Sequence, residues 1–99
     1  SHNSITDFYD NIVSVRNAYF GKFGATSAET NSVSAYIASV DKDTDDKLIA
    51  AIEDCLKAID AMPRPFVNNY TDPKVKSAID ACENLNDALE SARQVLIEQ

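Results

Sequence analysis

Glycine and proline are scarce, with two of the first and three of the second in 99 residues. Tight turns lean on such residues, so their scarcity points to long regular elements with few sharp reversals. Tryptophan is absent, and histidine occurs once, as His2. One imidazole excludes a Cys/His zinc site and any H-E-x-x-H helix. There is no G-x-S-x-G turn, no cysteine with a positioned histidine, and no glycine-rich loop to cradle phosphate. No apolar run approaches the roughly 18 residues that a membrane span needs, and no signal-peptide pattern opens the chain. Cations are outnumbered: nine Lys and Arg stand against 16 Asp and Glu, a net charge of −7. Phosphate binding wants a basic patch, so nucleic acid is excluded as a partner.

What is present is a chain that is 44% apolar, enough for one modest core in one domain. From Ser4, Ile5, Phe8, Ile12, Val15, Tyr19 and Phe23 recur at steps of three and four, broadened by Tyr9, Val13 and Phe20. That spacing predicts a helix over about 4–23, capped by Ser4 with Asp7 and closed by Gly21 and Gly24. As the most aromatic element it is expected to lie deepest. After the polar connector "GATSAETNS", a short helix over about 32–40 places Val33, Tyr36, Ile37 and Val40 on one face. A third helix, about 44–62, carries Leu48, Ile49, Ile52, Cys55, Leu56, Ile59 and Met62, and Pro63 and Pro65 stop it. "PRPFVNNYT" crosses to the last helix, about 73–97, which Asp72-Pro73 starts. Its stripe is Val75, Ile79, Cys82, Leu85, Leu89, Ala92 and Leu96, and its outer face is Lys76, Asp80, Glu83, Asp87, Glu90 and Arg93. Four helices with one apolar side each bury those sides on one another, so the fold class is all-α, a four-helix up-and-down bundle.

Chemistry-bearing residues are few. In "DKDTDD", Asp41, Asp43 and Asp45 match the first, third and fifth ligand positions of a calcium loop. The later positions, where glycine and glutamate are required, hold Asp46 and Ile52, so the carboxylates read as helix-start charges that offset the dipole. The other carboxylates fall on solvated faces, and none is expected on an apolar stripe. The tyrosines and phenylalanines read as core. Cys55 and Cys82 each sit on the stripe of a helix; an inert buried thiol and a disulfide between packed helices both fit that placement. The disulfide would need an oxidising compartment.

Three stretches together carry a family resemblance. "SHNSITDFYDNIVSVRNAYFG" is similar to the segment that opens the second helical bundle of imelysin-like proteins, with Asn3, Asp7, Asn11, Asn17, Tyr19 and Gly21 at matching places. "AIDAMPRPF" resembles the family's helix-ending "I..IP.PF", and "AIDACENLNDAL" resembles its final helix. The resemblance covers the whole chain and implies the C-terminal half of a two-bundle protein whose functional site lies in the cleft between bundles. The family's G-x-H-x-x-E motif belongs to the N-terminal bundle, which is therefore the partner expected upstream of Ser1. Where the family shows Asp and His in "SDNTH", this chain has His2 and Ile5, which leaves Ser1, Asn3 and Asp7 as the cleft-rim candidates. Helix capping explains the same three residues. No catalytic residue and no metal ligand are assigned to this chain.

The resemblance further implies an exported bacterial protein, periplasmic or anchored at the outer membrane as a lipoprotein, associated with iron acquisition. Iron or haem would be held only together with the missing half. A metallopeptidase whose ligands lie in that half and an autonomous protein-interaction module are the rival readings. Plant pectin methylesterase and invertase inhibitors are also disulfide-bearing four-helix bundles, but they carry four bridging cysteines where this chain has two.

Overall fold

Steps of three and four put the apolar side chains of each helical stretch on one side, and packing those sides together generates the architecture. The computed structural model describes residues 4–63 and 71–98. They form four helices: α1 (Ser4–Phe20), α2 (Val33–Val40), α3 (Lys42–Asp60) and α4 (Pro73–Ile97). The fold is an all-α four-helix bundle.

The deepest element is α3, not α1 as its aromatic content suggests. α3 packs against all three other helices, so Leu48, Ala51, Ile52, Cys55, Leu56 and Ile59 are all buried. α1 has fewer neighbours and buries Ile5, Ile12, Tyr19 and Phe20, while Phe8 on its outer edge is exposed. α1 and α4 both run antiparallel to α3. Tyr19 near the end of α1 reaches Asp45 near the start of α3, and Cys82 in α4 faces Cys55 in α3.

α1 stops at Phe20, three residues before the end its periodicity suggests, because Gly21 turns to φ +84°. Non-glycine residues avoid that left-handed region. Gly21 N and Lys22 N both donate to the Asn17 carbonyl, at 2.8 and 3.1 Å, and Gly24 N donates to Asn17 Oδ1 at 3.0 Å. Phe23 is thereby thrown outward, 92% exposed, and is not part of the core. Ser32 then caps α2 by accepting from Ala35 N at 3.0 Å.

α2 is turned relative to its expected face. Ser34 and Ile37 are the buried pair, while Val33, Tyr36 and Val40 are exposed, so Tyr36 also leaves the predicted core. Asp41 joins α2 to α3 in a single residue. Its N–H donates to the Ile37 carbonyl at 2.7 Å, closing α2, and its carboxylate accepts from Thr44 N at 3.2 Å, opening α3. α3 therefore begins at Lys42, and helix replaces the loop that a calcium site would require.

In α4, Asp72 Oδ1 accepts from Lys74 N at 2.8 Å and Pro73 takes the first helical position, as the dipeptide predicts. Val75, Leu85 and Ala92 are buried together with Ala78, and the six charged residues of the outer face are exposed. Ile79 and Leu96 of the expected stripe sit at its exposed margins. The Ser4 cap, Pro65 and most of the "PRPFVNNYT" crossing lie outside the described side chains.

Candidate functional site

Asp45 is the buried carboxylate of this chain among the described residues. It stands three residues before Leu48 and seven before Ile52, so it heads the apolar stripe of α3. This corrects the expectation that every carboxylate lies on a solvated face. The position in phase with Leu48 was the available signal, and the acidic run around it hid that signal.

Two hydroxyls from other helices converge on one oxygen of this carboxylate. Tyr19 Oη of α1 donates to Asp45 Oδ1 at 2.6 Å, and Ser34 Oγ of α2 donates to the same oxygen at 2.6 Å. Such short O–H···O contacts belong to the stronger class of hydrogen bond. Burial holds the Tyr19 phenol well above its ordinary 10.0, the hydrogen bond and charge of Asp45 push it further up, and the Ser34 hydroxyl pulls it partly back. Tyr19 is thus a fixed proton donor rather than a base. Both hydroxyl protons are committed to Asp45, so the triad ties three helices together and presents no free nucleophile.

A second tie lies farther along the same helices. Arg16 Nη1 donates to both Glu53 carboxylate oxygens, at 3.1 and 2.9 Å, with the arginine mostly covered. At the opposite end of the bundle from Asp45, α1 and α4 leave an apolar groove of about 600 Å³ over α3. Ile5, Phe8, Ile59, Met62, Ile79 and Cys82 line it, with Glu83 at the edge.

Of the sequence-derived rim candidates, Asp7 is exposed in the first turn of α1, between the groove residues Ile5 and Phe8. Ser1 and Asn3 lie outside the described residues, as does His2. Among the described residues no group of three His, Cys, Asp or Glu side chains is placed to hold a metal ion.

Residues 1–92 match the profile of imelysin, the peptidase M75 family. The chain belongs to the imelysin family. Its fold is similar to the crystal structure of a protein assigned as an iron-regulated protein A precursor from Parabacteroides distasonis, with a TM-score of 0.88 and 31% sequence identity. That similarity covers 94% of this chain and 26% of the Parabacteroides chain, so this imelysin-family bundle spans about a quarter of the length of its structural relative. Among curated proteins no sequence match was found.

Proposed function

We propose that this chain is a non-catalytic bundle of an exported, iron-associated imelysin-family protein, and that it supplies one wall of a binding cleft completed by the rest of that protein. The observation that carries the reading is the pairing of the family match with a relative described as an iron-regulated precursor, of which this fold spans a quarter. Three features of the bundle support it. Its most buried polar cluster is closed on itself, which suits a scaffold. Its net charge of −7 attracts cations. Its exposed apolar residues, Phe8 beside the groove and Val33, Tyr36 and Val40 along α2, suit contact with further protein.

In this reading Asp7, with Ser1 and Asn3, belongs to the rim of the cleft. The iron is cargo, bound as the ion or as haem. The family's peptidase designation keeps a second reading in view, a metallopeptidase whose ligands lie outside this chain. The test is an equilibrium titration of the full-length protein with ferric iron and with haemin, beside the 99-residue chain. Saturable binding by the full-length protein and none by this chain supports the proposal; no binding by either overturns it. Chelator-sensitive peptide hydrolysis by the full-length protein would establish the peptidase reading instead.

A further inference from the structure

Cys55 of α3 and Cys82 of α4 face each other with their sulfur atoms 3.3 Å apart, and both are free thiols. They are 27 positions apart in sequence and meet where α3 and α4 pack along their lengths. We infer that Cys55 and Cys82 form a modification site, a dithiol that closes to an inter-helix disulfide by exchange with an external disulfide compound. A disulfide needs a sulfur separation of about 2 Å, so the two atoms must approach by a little over 1 Å. That is a short distance for two side chains that already face each other across packed helices.

The two sulfurs differ in access, and this sets the order of events. Cys55 is fully covered, whereas Cys82 is partly exposed and lines the apolar groove. An external disulfide RS–SR therefore meets Cys82 first. The Cys82 thiol gives up its proton, its sulfur attacks one sulfur of RS–SR, and one RSH leaves, with the mixed disulfide remaining on Cys82. Cys55 then gives up its proton and attacks the Cys82 sulfur, expelling the second RSH. Two protein thiols are oxidised to one disulfide, and one external disulfide is reduced to two thiols. Burial and the adjacent Cys82 push the Cys55 thiol up to about 12. Cys55 is therefore sluggish toward solutes and reacts by capturing a partner already held against it.

The product pins α3 to α4 beside the groove. An oxidising compartment would supply the disulfide donor, yet the chemistry can be tested without it. The folded chain is incubated with oxidised glutathione, quenched, denatured, alkylated and weighed by intact mass spectrometry. The expected product takes up no alkylating group, carries no glutathione, and is about 2 Da lighter than the reduced chain. Cys55→Ser should halt with one glutathione on Cys82, and Cys82→Ser should react at least roughly tenfold more slowly. The oxidised wild-type chain should melt on the order of 10 °C above the reduced one. Two alkylatable thiols surviving in the wild type, or a glutathione adduct that never closes, would overturn the proposal. The wild-type time course decides the matter even if a serine variant fails to fold.

Discussion

Tyr19 and Asp45, 26 residues apart, are joined by a hydrogen bond of 2.6 Å that crosses from α1 to α3 in the covered part of the bundle. Ser34 of α2 donates to the same Asp45 oxygen, so one carboxylate fixes the mutual placement of three helices. A buried polar group left unpaired costs more than a satisfied one contributes. The network therefore penalises any packing of α1 or α2 that breaks it.

Removing a single donor should cost about 1.5–3 kcal/mol, the usual range for a hydrogen bond to a charged group. Tyr19→Phe and Ser34→Ala are the clean tests, measured by urea unfolding. Asp45→Ala should cost more than either, because it strands both hydroxyls. A double-mutant cycle between Tyr19→Phe and Ser34→Ala should show coupling, since the two donors share one acceptor. Additive losses would mean that the triad does not act as a unit.

The helix stripes were largely legible in the sequence because α3 and α4 are long enough to repeat their period several times. Leu48, Ile52, Cys55, Leu56 and Ile59 are buried as their spacing implies, with Ile49 half-buried at the margin, and Asp72-Pro73 starts α4 where the dipeptide predicts. α2 was harder. Eight residues hold barely two turns, and three apolar side chains on one side outweighed the serine that packs inward. Ser34 and Asp45 were passed over for the same reason: polar residues in phase with a stripe look like interruptions until their partner is seen. The rim candidates came from family resemblance alone, and of these only Asp7 falls among described residues.

Alkaline pH should weaken the fold. The Cys55 thiol sits at about 12 in the folded chain against an ordinary 9.0, so between those values the folded state keeps a proton that the unfolded state has lost. Its contribution is fully present below about pH 9 and is lost as pH rises toward 12. The raised phenol of Tyr19 acts in the same direction above its ordinary 10.0. Thermal melting of the reduced chain at pH 7, 9 and 10.5 should show a falling midpoint. Cys55→Val with Tyr19→Phe should flatten the decline, and an unchanged slope would contradict this assignment.

Gly21 should tolerate alanine poorly. Its φ of +84° is left-handed, and an added Cβ would lie 3.2 Å from the Cβ of Ser32, the cap of α2. Gly24, at φ +73°, has open space around it. Gly24→Ala should cost about 1 kcal/mol from backbone conformation alone, and Gly21→Ala about 1 kcal/mol more. Equal losses on chemical denaturation would argue that the Ser32 contact is inconsequential.

The ion pairs should divide by burial. Arg16–Glu53 joins two helices and is mostly covered on the arginine side, while Lys42–Asp46, Lys47–Asp43 and Lys76–Asp80 are exposed pairs within one helix. Glu53→Ala should cost about 1 kcal/mol, and Asp80→Ala about 0.5 kcal/mol or less. Unfolding at low and high salt should show the Asp80 effect fading first.

The most direct test of the central claim is anomalous diffraction at the iron edge from crystals of the full-length protein soaked or grown with ferric iron. A peak is expected between this bundle and the remainder of the protein, on the side where Asp7 and the start of α1 lie. A peak enclosed by the remainder alone, with no atom of this chain near it, would contradict the role proposed here.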